Sequence, residues 1–395
     1  MRRELLVAFI ALGLVSLFAD ITYEGGRSVS GSFLNMLGAL PLAAGLLGVG
    51  EFISYVMRLV GGAAAQRLRS GGLYWALVFA GYSTNLAIPL LALAGSWELA
   101  LTLYLIERVG KGLRAPARDV ILAEVTEGIG RGKGFGLHEL MDQVGAVAGP
   151  AIISWSVASS SSAHPYRAGF SVLAVPAALS LIALGVACRS YPTPRATVVG
   201  GEGFKGFSGL GRAFWLYLAG TSAALVGFLH WGVVSYILQD LSAEALVTPV
   251  EVPLLYLIAM GADALVALPA GFVYDRVGVA AVSVAPVAAA PVAALLLLSP
   301  ARPSLYAASA LWGVAMGFVE TVMRAAVADI APEGRMPIAY GVFSFTVGVA
   351  WMGGSLAMSL LYQAGLRQCV IALSAAAELA SLALLTRMGR RSVRP

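Results

Sequence analysis

The sequence contains little charge: Asp, Glu, Lys and Arg make up 12% of its 395 residues, against 59% hydrophobic residues. A soluble domain carries about 25% charged residues, because polar side chains must cover its water-facing surface. Disorder needs low hydrophobicity and high net charge, so this composition excludes a disordered chain as well. The shortage of charge therefore excludes a soluble globule and predicts an integral membrane protein.

Cysteine is also scarce, and Cys188 and Cys369 cannot form a disulfide framework. Two thiols at the ends of different apolar segments are more often small core residues than ligands. The formal net charge is +5. Basic residues in loops beside a membrane give such a total, whereas nucleic-acid binding needs a basic stripe on a soluble face. We therefore expect no nucleic-acid partner.

Motifs for ATP hydrolysis and for intramembrane group transfer are missing too. No Gly-x-x-x-x-Gly-Lys-Ser/Thr loop is present, so ATP drive within this chain is not expected. A prenyl or acyl transferase would need an Asp-rich metal motif or a catalytic His/Asp constellation, and neither is present. His138, Glu139 and Asp142 lie within one helical turn, but the multiple-His spacing of a zinc site is absent. We expect no enzyme activity, no cofactor and no metal.

Long apolar stretches dominate what is present. The first follows Glu4, and the others lie near 40–65, 73–94, 97–123, 134–158, 167–188, 212–239, 250–273, 279–299, 304–328, 337–362 and 367–387. A helix rises 1.5 Å per residue, so about 20 residues cross about 30 Å of hydrocarbon, and helices satisfy their own backbone in lipid. The first stretch lacks a clean cleavage site and is read as a retained helix. The pattern predicts an all-α integral membrane fold with twelve transmembrane helices.

The distribution of Lys and Arg predicts the orientation. With a cytoplasmic N-terminus, most basic residues fall in cytoplasmic loops, and the other side receives Arg167, Arg302, Arg367 and Arg27. Both termini are therefore expected inside the cell membrane, with Cys188 and Cys369 on opposite faces. The one long polar interruption, rich in Pro and Gly, predicts a cytoplasmic linker. The predicted organisation is a six-helix bundle over 1–190, a linker over 191–211 and a second six-helix bundle over 212–395.

A short motif, Gly-x-x-x-polar-Arg, occurs at the same topological place in both halves. Its residues are Gly62, Gln66 and Arg67 in the first copy and Gly271, Asp275 and Arg276 in the second. A duplicated half is the economical explanation. Arg118-Asp119 after the fourth helix is echoed, less closely, by Arg324 and Asp329 after the tenth.

These motifs resemble the major facilitator superfamily of secondary transporters, whose loop after helix two reads Gly-x-x-x-Asp-Arg-x-Gly. The second copy matches, whereas the first has Gln66 at the acidic position. The segment 108–119 resembles a version found in permease and drug-efflux-type members. Gly145, Gly149 and Pro150 resemble the Gly-x-x-x-Gly-Pro motif associated with antiporters, without the two glycines that often follow it.

The resemblance implies a 6 + 6 fold in which two halves rock about a central site and expose it alternately to each side. It implies a gating role for the repeated motif, in which Asp275 pairs with an Arg or a helix end and Arg67 and Arg276 bind carboxylates or carbonyls. Tight turns with ordinary cytoplasmic Arg are the alternative. It also implies a role in proton transfer for Arg108. The expected partners are a small-molecule substrate, protons and the lipid bilayer, and the expected functional unit is a monomer.

Charges within the apolar stretches are costly and mark candidate sites. Asp20 and Glu24 are spaced i, i+4 on one helix face, and their mutual repulsion favours proton binding by one of them. A Glu24–Arg27 pair at the outer rim is the alternative. Adjacent helical residues point about 100° apart, so Glu107 and Arg108 are not expected to satisfy each other alone, which directs Arg108 into a cavity.

Further charges complete the predicted cavity set: Glu51, Arg58, Glu139, Asp142, Asp263, Glu320 and Arg324. Glu320 and Arg324 can pair at i, i+4, whereas Asp263 has no such local partner. Glu378 on the predicted twelfth helix receives no role from the pattern.

The sequence favours a transporter that exports amphipathic compounds by proton antiport, because of the 145–150 motif. Uptake of a small, anionic solute by symport or uniport remains open, since Arg58 and Arg108 suit an anion. A sensor or scaffold on the same fold also remains, although it has no reason to retain so many buried charges.

Overall fold

The structure, a computed structural model, describes residues 3–68, 71–126, 130–161, 164–194, 209–332 and 335–392. Within these ranges all regular secondary structure is helical. The chain before residue 195 forms α1 (Arg3–Ser28), α2 (Ser30–Met36), α3 (Pro41–Leu68), α4 (Gly71–Ser83), α5 (Ala87–Leu90), α6 (Trp97–Val125), α7 (Arg131–Ala158), α8 (Pro165–Val172) and α9 (Ala174–Ser190). The chain after residue 208 forms α10 (Arg212–Gly227), α11 (Trp231–Ala243), α12 (Glu251–Val277), α13 (Val284–Ala289), α14 (Val292–Leu297), α15 (Arg302–Ile330), α16 (Met336–Gln363) and α17 (Arg367–Ser392). Short 3₁₀ turns occupy Thr84–Leu86, Leu91–Leu93 and Gly278–Ser283.

Nine helical stretches of the described residues are long and apolar enough to cross a membrane. They are Arg3–Ser28, Pro41–Ala65, Gly72–Leu93, Pro165–Ser190, Arg212–Ala243, Glu251–Leu297, Arg302–Ile330, Ile338–Gln363 and Arg367–Met388. The all-α, multi-pass prediction is confirmed, whereas the count of twelve stays a prediction. α6 and α7 are as long as these stretches but carry several charged side chains, and Glu251–Leu297 forms one apolar run.

The packing of α1 positions the charged residues discussed below. α1 lies against α7 and α9, and α4 lies against α6. The contact with α9 is mostly apolar, since Leu12, Val15 and Leu184 are buried in one cluster, and Ser180 Oγ donates to the backbone oxygen of Val15 over 3.2 Å. The contact with α7 depends on glycine: a Cβ added to Gly145 would lie 2.6 Å from the backbone oxygen of Leu17. Small residues let two helix backbones approach closely, so the side chains that flank Gly145 face those of α1.

Two compact units make up the chain. One comprises Met1–Gly38, Ile53–Gly201 and Pro249–Leu257, and the other comprises Ala39–Phe52, Glu202–Thr248 and Ile258–Pro395. In the second unit α10 lies against α16 and α17, and α15 lies against α13 and α14. The predicted bundle boundaries at 190 and 212 stay predictions, and most of the predicted linker falls outside the described residues.

Candidate functional site

Glu24 lies in a buried hydrogen-bonded pair on α1. Its side chain is buried, and its Oε2 accepts a 2.5 Å hydrogen bond from the hydroxyl of Tyr256, a residue of the same unit. Arg27 Nη1 lies 3.6 Å from the same oxygen. The Glu24–Arg27 pair that the sequence allowed as an alternative is therefore formed, and Glu24 has a neutral donor and a cation as neighbours.

Two cations of α6 share one aromatic ring of α1. The Arg108 guanidinium carbon lies 3.5 Å from the centroid of the Tyr23 ring, and Lys111 Nζ lies 4.4 Å from it. Tyr23 is buried. Such cation–π contacts contribute about 0.5–2 kcal/mol each, with the larger values in sites shielded from water. Tyr23 thus places positive charge next to the Asp20–Glu24 face of α1.

Glu107 and Arg108 form a buried ion pair. Arg108 Nε donates to Glu107 Oε2 over 2.7 Å, and Arg108 Nη2 lies 2.6 Å from the same oxygen. Both side chains are buried, and Glu107 is 0% exposed. The two side chains bend toward each other from adjacent positions, and each also has a further neighbour, Arg114 for Glu107 and the Tyr23 ring for Arg108.

Arg114 lies inside the first unit rather than in a loop. Its Nη1 donates to the backbone oxygen of Gly81 over 3.0 Å and to Asn85 Oδ1 over 3.3 Å. The guanidinium stands over the ring of Tyr82, and Nη1 lies 4.0 Å from Glu107 Oε1. Positive-inside counting assigns Arg114 to the cytoplasmic side, which stays a prediction, and the structure buries its side chain on α6.

Asp20 and Asp142 approach each other where α1 crosses α7. A Cβ on Gly145, three residues after Asp142, would lie 3.0 Å from Asp20 Cβ. The Asp20 carboxylate interacts electrostatically with Asp142, Lys111, Glu24 and Arg114. We name these connected residues the charged cluster. Its members are Asp20, Glu24, Arg27, Glu107, Arg108, Lys111, Arg114 and Asp142.

Ser16, one turn before Asp20, joins two side chains of α7. Its Oγ lies 2.9 Å from His138 Nε2, and it also hydrogen-bonds the carboxylate of Asp142. His138 is buried, whereas Glu139 beside it is exposed. Among the described residues no group of three or more His, Cys, Asp and Glu is arranged to hold a metal ion. Ser16 and His138 therefore extend the hydrogen bonding of the charged cluster from Asp142.

Gly145 and Gly149 face α1 beside the charged cluster, and Pro150 follows them on α7. A Cβ on Gly149 would lie 2.6 Å from the backbone N of Gly25, and Pro150 interrupts the backbone hydrogen bonding of α7. The atoms that such a Cβ meets belong to backbone, which cannot swing aside as a side chain can. These glycines thus fix the spacing between Asp20 and Asp142.

In the second unit, Glu51 lies near the imidazole of His230, which in turn contacts the ring of Trp351. His230 Nε2 is 4.0 Å from Glu51 Oε1, and the His230 and Trp351 rings stack edge-on with centroids 5.6 Å apart. His230 Nδ1 accepts a 3.1 Å hydrogen bond from the backbone N–H of Gly232. In the neutral imidazole the other nitrogen, Nε2, then carries the proton.

The remaining predicted cavity residues are dispersed. Asp263 is buried on α12 against α15, where its Oδ1 would lie 3.0 Å from a Cβ on Gly317. Glu320 and Arg324 are exposed on α15. Arg58 is half-buried on α3, 5.9 Å from the ring centroid of Tyr55. The structure therefore gathers Asp20, Glu24, Arg108 and Asp142, and leaves these four outside the charged cluster.

The repeated motif lies at the ends of α3 and α12. Gly62 is half-buried with Pro116 of α6 as its neighbour, at 3.9 Å from an added Cβ, and the side chains of Gln66 and Arg67 lie outside the described residues. Gly271 is half-buried, and Asp275 and Arg276 are exposed. Next to them the Tyr274 hydroxyl donates to the carboxylate of Asp329 on α15. Asp329 ends the segment of the second half that echoes Arg118-Asp119.

Sequence comparison finds relatives along nearly the whole chain. An uncharacterized protein of Mycobacterium tuberculosis is 35% identical over 380 residues, which cover 94% of this chain and 90% of the relative. An uncharacterized MFS-type transporter of Methanocaldococcus jannaschii is 25% identical over 372 residues, which cover 91% of this chain and 90% of that protein. The family model described as Major Facilitator Superfamily matches residues 216–395.

Solved structures share the fold. A variant of the nucleoside transporter NupG superposes with a TM-score of 0.80 at 14% identity, covering 96% of this chain and 99% of that one. A bacterial homologue of the lysosomal transporter Spinster has a TM-score of 0.74 at 16% identity, covering 99% and 98%. At these identities the likeness shows the fold alone. The sequence matches show that the chain belongs to the major facilitator superfamily of multi-pass membrane transporters.

Proposed function

We propose that the protein is a secondary active transporter that exports amphipathic compounds across the cell membrane in exchange for protons. Alternating access about a central site is the proposed mechanism, within the predicted 6 + 6 organisation and with a monomer as the functional unit. The observation that carries this proposal is the opposition of Asp20 and Asp142 across the α1–α7 contact, beside Lys111.

Proton coupling requires a carboxylate whose protonation changes the ionic contacts of its neighbours. Asp20 interacts with two other acids, Asp142 and Glu24, and with two bases, Lys111 and Arg114. Repulsion among the acids favours protonation of one of them. Once Asp20 is neutral, Lys111 loses an ionic partner and redirects its charge toward Glu24, Glu107 or a bound solute. Proton binding and solute binding thus act on the same bases.

Export of amphipathic compounds is supported by the packing of the proton-binding residues. Gly145 and Gly149, in the motif similar to that of antiporters, set the backbone spacing at which Asp20 and Asp142 meet. The buried Tyr256 ring beside Glu24 adds apolar surface next to negative charge. A lipophilic cation needs both features.

Uptake of a small anion is the second candidate, and one observation favours it. Arg108 and Lys111 stand over the same Tyr23 ring, so two positive groups converge within one turn of α6. A carboxylate or phosphate solute could bridge such a pair. In this case the proton on Asp20 would accompany the solute inward.

Proteoliposome transport under an imposed pH gradient tests the proposal. We expect wild-type protein to accumulate cationic amphipathic compounds from a panel that also contains organic anions. Asp20→Asn should lower gradient-driven flux at least about tenfold, because an amide cannot exchange a proton. Solute exchange without a gradient should persist in this variant.

Glu98→Gln provides the matched control, because Glu98 is exposed at the start of α6, nine residues or about 13 Å along the helix from Glu107. Its flux should equal that of the wild type. Unchanged flux in Asp20→Asn would contradict the proton role of Asp20. Accumulation of anions in place of cations would favour the uptake reaction, and no flux under any gradient would favour a sensor.

The proposed orientation places both termini in the cytoplasm, and the two natural cysteines report on it. Cys369 is an exposed free thiol at the start of α17, and Cys188 is a half-buried free thiol near the end of α9. In intact cells a membrane-impermeant maleimide should label Cys369 and not Cys188. Cys369→Ser should abolish the labelling. Labelling that persists in Cys369→Ser, or that requires opened cells, would contradict this orientation.

A further inference from the structure

Glu378 is a buried acid that the charged cluster does not include. It lies near the middle of α17 in the second unit and is 1% exposed. Neither carboxyl oxygen has a hydrogen-bond partner among the described residues. The sequence pattern gave this residue no role, and the transport reaction proposed above does not use it.

The side chain of Glu378 occupies space that a glycine of α10 leaves open. A Cβ on Gly227 would lie 2.9 Å from both Cδ and Oε1 of Glu378. Ser374, four residues earlier on α17, donates from Oγ to the backbone oxygen of Gly227 over 2.7 Å. Ser381, three residues later, is fully buried, and its Oγ has no partner in the described part of the chain. Residues at these spacings share one helix face, so Glu378 lies in a narrow polar strip against α10.

The helices packed against α17 bring no cation to this carboxyl. α17 contacts α10, α13, α14, α16 and the 3₁₀ turn Gly278–Ser283. Their titratable and charged residues are Arg212 and Tyr217 on α10 and Tyr340 and Tyr362 on α16. Arg212 precedes Gly227 by fifteen residues, about 22 Å along the helix.

The three tyrosines donate hydrogen bonds to other groups, and the cations of α17 itself are distant from Glu378. The hydroxyls of Tyr217, Tyr340 and Tyr362 donate to Met323 O, Arg324 O and Asp240 Oδ2. On α17 the nearest charged residues are Arg367 and Arg387, eleven and nine positions away, or about 16 Å and 13 Å. Cys369 near the start of the helix is exposed. No charged neighbour is therefore placed to neutralise an ionised Glu378.

An ionised carboxylate without a partner is far more costly to bury than a neutral carboxylic acid, so such a group binds a proton instead. A metal cation fits this site less well than a proton. Hard cations require about six oxygen ligands, and the strip offers few oxygen atoms besides those of the carboxyl group itself. We propose that Glu378 is a proton-binding site of the second unit, separate from Asp20 and Asp142, and that its neutral acid form allows α10 and α17 to pack closely.

Infrared spectroscopy of the purified full-length protein at neutral pH tests this proposal. The difference spectrum of wild type minus Glu378→Gln should contain the C=O stretch of a protonated carboxylic acid, which shifts in D₂O. The same subtraction for Glu98→Gln, which removes an exposed acid of α6, should contain carboxylate bands instead. Carboxylate bands in the Glu378→Gln difference would overturn the proposal.

Sodium addition at constant pH separates a proton from an alkali cation. We expect the acid band to persist when Na⁺ replaces choline, whereas its conversion to carboxylate bands would show a cation site and overturn the proposal. Glu378→Gln, which keeps a neutral group of similar size, should retain the thermal stability of the wild type. At strongly alkaline pH the wild type should lose stability and this variant should keep it, and equal losses in both would contradict a proton held at Glu378.

Discussion

Replacement of Glu107 by glutamine is expected to destabilise the protein by about 3 kcal/mol, because the change leaves the buried Arg108 charge without its carboxylate. Removing one member of a buried ion pair typically costs about 3–5 kcal/mol. Glu107 is fully buried and holds Arg108 through two contacts to one oxygen. The lower end of the range is expected here, since the Tyr23 ring continues to contact Arg108. Thermal unfolding in detergent, followed by tryptophan fluorescence, measures the effect.

Glu98→Gln is the control for this prediction, since it makes the same chemical change on the same helix at an exposed position. It should shift the unfolding midpoint little, as surface charges contribute about 0–1 kcal/mol. The double variant Glu107→Gln/Arg108→Gln should be more stable than Glu107→Gln alone, because it removes the uncompensated cation. Equal stability of Glu107→Gln and Glu98→Gln would show that the buried ion pair contributes nothing.

Gly149→Ala is expected to lower stability by about 1–3 kcal/mol, the usual cost of forcing extra volume into a packed contact. The added Cβ would lie 2.6 Å from the backbone N of Gly25, so α1 and α7 must separate. Separation changes the distance between Asp20 and Asp142. We therefore expect gradient-driven transport to fall together with the unfolding midpoint.

Gly136→Ala is the matched control on the same helix. Nothing lies within 4 Å of a Cβ placed on Gly136, and replacing an unconstrained helical glycine gains about 0.5–1 kcal/mol. The two alanine variants should therefore shift stability in opposite directions. A stabilising Gly149→Ala would mean that α1 and α7 are not held at their observed distance by this contact.

The helices were predictable because membrane-spanning segments need long apolar runs, and these runs are visible without tertiary information. α1 and α17, for example, cover the predicted stretches at the two ends of the chain. The number of spans was harder to determine, because α6 and α7 combine spanning length with many charged residues. Composition alone cannot separate a charged cavity helix from a helix outside the membrane.

The candidate site was predictable where the signal was a costly charge. Asp20, Glu24, Arg108 and Asp142 were identified because acids and bases are rare in apolar runs, and the structure brings them together. Tyr23, Lys111 and Arg114 were missed. An aromatic residue is common in such a helix, and the role of Tyr23 depends on the distance between α1 and α6. Lys111 and Arg114 lie within the predicted stretch 97–123, but Lys111 was assigned to a motif and Arg114 to the charges of the cytoplasmic side.

The number of acids and bases in the charged cluster bears on the response of transport to membrane voltage. Its acids are Asp20, Glu24, Glu107 and Asp142, and its bases are Arg27, Arg108, Lys111 and Arg114. With all eight ionised these charges cancel, and Arg118 and Glu139, which also interact with Asp142, add one charge of each sign. A single bound proton therefore adds one net positive charge. Exchange of that proton for a monovalent cation moves no net charge across the membrane. Exchange for a neutral or zwitterionic compound does, and the membrane potential would then drive the cycle at about 2.3 kcal/mol per charge per 100 mV.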